Sequence, residues 1–325
     1  MNLSEQLPTV HQVAAQYWGQ AHGDIADALE AIQVIKRTGG KVMGVFPPFA
    51  EKPPVFYKVY FYDRGFNFES EGLKAANAMP PVEGVTVPKV VSICPEYRAI
   101  LTEKEDWEEN RTGLQRFFVG SLGIDWFRVG RWLRAFHDSQ VSIGRNDYFL
   151  RKKFEKIDSH LKDLQHLFTE VQHQKLRKII EDARKYFETA EIEWVISHGD
   201  FGLSNIQKKG ELLEIIDFED SQMAPRAFDI LNCLVRLEYV NYFPNFPGTY
   251  KKIKERFLQG YDLQVNSDNS VYKLFYTLIQ LDVIETYFRR RQLDKHKVHQ
   301  KILFNIFEQK SEKNLFEWLD KLNDK

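Results

Sequence analysis

The sequence predicts an α+β fold in two parts, a small antiparallel-sheet lobe with one helix followed by a larger, mainly helical lobe. Three observations predict it. Before Glu103 the chain is a series of short β-prone runs cut by Gly and Pro. After Glu103 apolar residues recur at helical spacing, and only two further strand candidates interrupt them. The texture changes once, with no internal repeat or low-complexity tract.

The strand candidates of the first part are Ile32–Arg37, Val42–Phe46, Val55–Phe61, Val90–Ile93 and Tyr97–Thr102. They are separated by the turn Thr38-Gly39-Gly40-Lys41 and by the Pro-rich segments Pro47–Pro54 and Pro80–Pro88. One helix, Asn67–Met79, falls between the third and fourth strands and carries Phe68, Leu73, Ala75, Ala76 and Met79. In the second part Leu122–Asp138 is amphipathic, with Trp126, Val129, Leu133 and Phe136 on one face. Further helices are expected over Asp147–His173, Gln174–Ala190, Ala227–Tyr242, Tyr250–Tyr261, Ser270–Arg291 and His296–Leu322. The two late strands are Trp194–Ser197 and Leu213–Phe218. The expected division is residues 1–103 and 104–325, with a ligand in the crevice between them.

The chain has 325 residues, 43% hydrophobic, 14% aromatic and 28% charged, enough to bury a substantial core and unlike a disordered chain. Lys plus Arg number 45 and Asp plus Glu 46, so no global field favours nucleic acid or an acidic membrane. Cys94 and Cys233 make no disulfide framework and suit a reducing compartment. Met1–Val13 reads as polar, without the build of a signal peptide, and the most apolar stretch, Leu274–Phe288, carries Asp282 and Glu285. A cytoplasmic protein with no membrane segment is expected.

The strongest chemical signal follows the apolar run Trp194-Val195-Ile196. It is His198-Gly199-Asp200, then Asn205, the pattern His-x-Asp-x-x-x-x-Asn, and the next strand candidate ends in Asp217-Phe218. A loop, a strand, a turn and a returning strand fit between Asp200 and Asp217, so both acids and the Asn fall at one end of a small hairpin. Phosphoryl transfer from a nucleotide needs such a set: a carboxylate at the incoming hydroxyl, and a second carboxylate with an amide oxygen to hold Mg²⁺. Asn205 and Asp217 supply hard oxygen ligands, and Asp200 is left to accept the substrate proton. Lys58 lies inside the apolar strand Val55–Phe61. A buried lysine is costly unless paired, so it needs a phosphate or a carboxylate; Glu69 is the nearest candidate, with Glu71 the alternative.

Lys in the third strand, Glu in the next helix, His-x-Asp-x-x-x-x-Asn and Asp-Phe together resemble the protein-kinase-like fold. The details resemble the aminoglycoside phosphotransferase and choline kinase family: His198-Gly199-Asp200, Ile216-Asp217-Phe218-Glu219-Asp220, Phe228-Asp229-Ile230-Leu231 and Leu133-Arg134-Ala135-Phe136-His137. The chain departs from that family at Phe201-Gly202-Leu203-Ser204 and at the acidic segment Glu103–Glu109. The resemblance implies ATP and Mg²⁺ as cofactors, with Asp200 as catalytic base and Asn205 and Asp217 as metal ligands. It implies further that Lys58 contacts the phosphates and Glu69 orients it. Gly39 and Gly40 would cover the phosphates, and the backbone of Ile100–Lys104, with Leu101 and Glu103, would grip adenine. His198 and Asp229 would be scaffolding.

The Ala-Pro-Glu end of a protein-kinase activation segment is matched only in part by Ala224-Pro225-Arg226, which comes soon after Asp217. A small-molecule hydroxyl is therefore the expected acceptor, with Glu219, Asp220, Asp282 and Glu285 as candidate pocket acids. A protein Ser/Thr kinase and a nucleotide-binding pseudokinase scaffold are the alternatives. His296 and His299 lack a completing ligand, and Arg289-Arg290-Arg291 reads as a solvated helix end rather than a nucleic-acid site.

Overall fold

The β-prone runs of the first hundred residues form a five-stranded antiparallel sheet in the computed structural model, which describes residues 3–19, 26–38, 40–104, 123–238, 249–263, 270–292, 308–310 and 312–319. In chain order the elements are α1 (Leu3–Trp18), α2 (Ala26–Glu30), β1 (Gln33–Arg37), β2 (Lys41–Phe46), β3 (Val55–Tyr60), α3 (Asp63–Ala78), β4 (Val85–Thr86), β5 (Val90–Cys94) and β6 (Ala99–Glu103). There follow α4 (Trp126–Asp138), β7 (Val141–Gly144), α5 (Asp147–Asp163), α6 (Glu170–Thr189), β8 (Ile192–Ser197), β9 (Ile206–Lys209), β10 (Leu212–Ile215) and β11 (Gln222–Ala224). The last named helices are α7 (Ala227–Leu237), α8 (Thr249–Tyr261) and α9 (Ser270–Gln292). No helix among the described residues is long and apolar enough to cross a membrane.

These elements form two compact units that are not uninterrupted halves of the chain. The first holds the described residues up to Ile124 together with His198–Asp200 and Ser204–Gln222; the second holds Asp125–Ser197, Phe201–Leu203 and the described residues from Met223 onward.

In the first unit the main sheet has the order β1-β2-β3-β6-β5. Apolar side chains of β2, β3 and β6, including Phe46, Val55, Tyr57 and Leu101, form a core with Val10, Val13, Ala14 and Trp18 of α1. The polar reading of Met1–Val13 missed this helix. Its spacing of Val10, Val13, Ala14 and Trp18 puts four apolar residues on one face, and burial of that face holds the helix on the sheet. Helix α3 starts four residues earlier than expected, at Asp63, and buries Phe66, Leu73 and Ala76 along with Glu69. A second sheet, β4-β10-β9, joins Val85 to Leu213 in parallel register.

In the second unit the sheet β11-β8-β7 accompanies the helices. Phe149, Trp194, Phe228 and Phe275 make a cluster whose ring centroids are 5.3–6.1 Å apart in contacting pairs. Helices α4 and α8 cross where Gly130 faces the backbone at Phe257 and Gly260 faces the backbone at Phe127, so neither position has room for a Cβ. The expected long helix Asp147–His173 ends at Asp163 instead. Thr169 starts the next helix through a capping box: its hydroxyl accepts from the Gln172 amide at 3.3 Å and its own amide donates to the Gln172 side chain at 2.9 Å.

Candidate active site

Strands β9 and β10 pair from Ile206↔Ile215 to Lys209↔Leu212, so the open end of the hairpin is formed by Asn205 on one side and Ile216-Asp217 on the other. The Ile216 amide closes that end by donating to the Asn205 carbonyl at 3.0 Å. The fully buried His198 ties the preceding loop to the same place: its Nε2–H donates to the Ile216 carbonyl at 3.0 Å, and its ring lies 4.7 Å from that of Phe218. Asn205 turns its Nδ2 onto Asp200, donating to the backbone carbonyl at 2.8 Å and to Oδ2 at 3.2 Å. Asp200, Asn205 and Asp217 thus share one hydrogen-bonded end of the hairpin. Asp217 has φ 67°, a left-handed conformation that aspartate tolerates better than most residues and that costs about 1–2 kcal/mol.

Lys58 projects from β3 to the Glu69 carboxylate of α3 at 2.6 Å and to Asp217 Oδ1 at 3.1 Å. Its side chain is 12% exposed and that of Glu69 4%. Burial alone would lower the Lys58 pKa, but Glu69 and Asp217 outweigh it and hold the ammonium above the ordinary lysine range. Burial would likewise raise Asp217, yet Lys58 and Lys41 keep its carboxyl well below the usual carboxylate range. Lys41, the first residue of β2, is nearly buried and reaches Asp217 Oδ1 at 3.4 Å and the Glu219 carboxylate more closely. Two ammonium groups and three carboxylates are therefore packed together.

Gly39 lies outside the described residues. Gly40 sits in the β1–β2 turn, where its amide and that of Lys41 both donate to the Thr38 hydroxyl, at 3.3 and 3.2 Å. Leu101 is buried within the inner strand β6, and Glu103 ends that strand with its amide donated to the Lys89 carbonyl at 2.9 Å. The candidate acids disperse. Glu219 faces Lys41 rather than standing as an uncompensated acceptor contact, and Asp220 is exposed. In the second unit Asp282 pairs with Lys156 and His160, and Glu285 with His160 and Arg289. Asp229 is fully buried beside His137 Nε2 at 3.1 Å, and the Tyr261 hydroxyl meets His137 Nδ1 at 2.7 Å. The segment holding His296 and His299 lies outside the described residues.

The donor set suits a hard divalent cation. The Asn205 amide nitrogen is used on Asp200, which leaves its Oδ1 as the acceptor end, and Asp217 is a carboxylate at the same hairpin end. Carboxylate oxygens of Glu69, Asp217 and Glu219 lie within 4.8 Å of one another. Asp217 Oδ1 already gathers two ammonium nitrogens, as expected of a position where positive charge is stabilised.

Lys41 does not stand out in the sequence. It opens a strand, where a lysine reads as a solvated end, and its partners lie 176 and 178 residues away. Strand alternation places it once the register is known: Met43 pairs with Lys58 across β2–β3, so Lys41, two residues before Met43, shares a sheet face with Lys58.

Residues 126–261 match the choline/ethanolamine kinase family model. Among curated proteins none matches the chain. Solved structures do. A choline/ethanolamine kinase family protein from Mesorhizobium loti is 15% identical, with a TM-score of 0.55 over 96% of this chain and 94% of that one. A putative fructosamine-3-kinase from Thermobifida fusca is 14% identical, with a TM-score of 0.54 over 95% and 98%. A thermostable mutant of aminoglycoside phosphotransferase APH(4)-Ia, in a ternary complex with ADP and hygromycin B, is 10% identical, with a TM-score of 0.55 over 94% and 98%. At such identities the likeness shows the fold, which is the protein-kinase-like fold of these phosphotransferases.

Proposed function

We propose that this chain is a Mg²⁺- and ATP-dependent phosphotransferase that moves the γ-phosphoryl group of ATP to a hydroxyl of a small molecule. The observation that carries the reading is the convergence of Lys58, paired to Glu69, on Asp217 at 3.1 Å, at the hairpin end that also holds Asp200 and Asn205. In the reaction the acceptor oxygen bonds to the γ-phosphorus, the bond from that phosphorus to the β–γ bridging oxygen breaks, and the hydroxyl proton passes to Asp200. Asn205 fixes the Asp200 carboxylate for that task. Lys58 lends its charge to the donor phosphates, held in place by Glu69. Asn205 Oδ1 and the Asp217 carboxylate would hold the magnesium ion, which when bound neutralises phosphate charge. The chain's own contribution is positioning and electrostatics.

A small acceptor is favoured over a protein because α7 begins at Ala227, ten residues after Asp217, leaving little chain for a peptide platform. The complex of APH(4)-Ia with hygromycin B supports the same reading by analogy of fold. A cytoplasmic location goes with it.

The test is ADP release with Mg²⁺-ATP across aminoglycosides, choline, ethanolamine, sugars, fructosamines and homoserine, with Asp200→Asn as control. Turnover that falls by about 10²–10⁴ in the variant while ATP binding persists supports the assignment. Full turnover in Asp200→Asn, or no ATP binding by the wild-type chain, overturns it.

A further inference from the structure

We infer that Lys41 is a second phosphate-binding cation of this site, reaching the donor nucleotide's phosphates from the β1–β2 turn; the inference rests on the phosphotransferase reading above. Three observations carry it. The first is the state of the turn itself. A turn that covers phosphates usually does so with free backbone amides. Here the amides of Gly40 and Lys41 are donated to the Thr38 hydroxyl at 3.3 and 3.2 Å, and the Thr38 amide to the Lys41 carbonyl at 2.9 Å. Those amides are occupied inside the turn, and the Lys41 side chain supplies positive charge in their stead.

The second is geometry. Lys41 and Lys58 rise from the same face of the sheet, because Met43 is paired with Lys58 and Lys41 lies two residues before it. Both ammonium groups meet Asp217 Oδ1, at 3.4 and 3.1 Å. A phosphate chain engaged by Lys58 beside Asp217 is therefore within the compass of Lys41.

The third is charge. The Lys41 side chain is 7% exposed and its partners are Asp217 and Glu219. An ammonium with so little access to water requires anionic partners. A metal ion held by Asp217 would compete with Lys41 for that carboxylate, and the incoming phosphate oxygens are further anions that can pair with it. In the nucleotide-free chain Asp217 and Glu219 hold Lys41 in position for that exchange.

The test is calorimetric titration of wild type, Lys41→Met and Lys41→Arg with ATP, with adenosine and with inorganic tripolyphosphate, all in Mg²⁺. The expected result is a loss of ATP and tripolyphosphate affinity of about tenfold or more in Lys41→Met, the size of a lost charge-assisted hydrogen bond. Adenosine affinity stays unchanged, and Lys41→Arg recovers most of the ATP affinity. Wild-type ATP affinity in Lys41→Met overturns the inference alone. So does an equal loss for ATP and adenosine, which marks a merely structural residue. If the wild-type chain binds no ATP, the phosphotransferase reading falls, and the inference with it. Should Lys41→Met fail to fold by circular dichroism, Lys41→Gln is titrated under the same criteria.

Discussion

Lys58 Nζ stands 3.1 Å from Asp217 Oδ1, across 159 residues of sequence, and 2.6 Å from the buried carboxylate of Glu69. One ammonium group thus ties β3 and α3 to the end of the β9–β10 hairpin within the first unit. Removing it leaves Glu69 buried without its nearest cation. Lys58→Met should cost about 3–5 kcal/mol of stability, the usual penalty for breaking a buried pair. Adding Glu69→Gln should restore part of that loss, because the stranded charge goes too. Urea denaturation of the two single variants and the double variant measures the coupling. Additive losses would show that the pair is not a unit.

Asp217 carries a separate expectation. If it holds the metal ion with Asn205, Mg²⁺ should strengthen ATP binding by the wild-type chain but scarcely by Asp217→Asn. Titrating ATP with and without Mg²⁺ into both proteins gives the comparison. The same Mg²⁺ enhancement in both would remove Asp217 from the metal site.

Gly199, the residue before Asp200, has φ 84°, and a Cβ there would overlap the Asp220 backbone carbonyl. Gly210, in the β9–β10 turn, has φ 59° but open space around it. Gly199→Ala should therefore lose clearly more than the about 1–2 kcal/mol that left-handed backbone alone costs an L-residue, and Gly210→Ala no more than that amount. Denaturation midpoints of the two variants make the comparison. Equal losses would mean that the close approach at Gly199 relaxes freely.

Much of this arrangement is legible in the amino-acid sequence alone. His198, Asp200, Asn205 and Asp217 stand out because their spacing fits a loop and a hairpin, and that local geometry is what the chain adopts. Lys58 stands out as a charge in an apolar strand. What stays hidden depends on partners distant in sequence. Strand β4 has two residues and exists through its pairing with β10, 128 residues on at Val85–Leu213 and Thr86–Glu214 alike. Lys41 looks solvated until Asp217 and Glu219 are brought to it. Other misses were readable. Thr169 and Gln172 are a capping-box pair that marks the helix start, and Val10, Val13, Ala14 and Trp18 mark the face of α1.

The second unit offers a test of a buried histidine. His137 is fully buried, with Tyr261 and Asp229 on its two ring nitrogens, and Arg226 donates to the same Tyr261 hydroxyl at 3.3 Å. The simplest proton arrangement has His137 Nε2–H donating to Asp229 and the Tyr261 hydroxyl donating to Nδ1, so the ring is neutral. Burial lowers the His137 pKa, against the opposing pull of Asp229. In the unfolded chain the ring titrates near the ordinary value of about 6.5. Below that pH the unfolded state takes up a proton that the folded state does not. The stability contributed by neutral His137 is therefore fully present above about pH 6.5 and is lost as pH falls toward the depressed folded value, by at most about 1.4 kcal/mol per pH unit. His137→Gln removes this proton linkage. The stability difference between wild type and variant should be constant from pH 8 to 7 and shrink from pH 6.5 to 5, as read by denaturation at each pH. A difference that stays constant down to pH 5 would show that His137 titrates alike in the folded and unfolded chains, and the neutral bridge between Tyr261 and Asp229 would have to be given up.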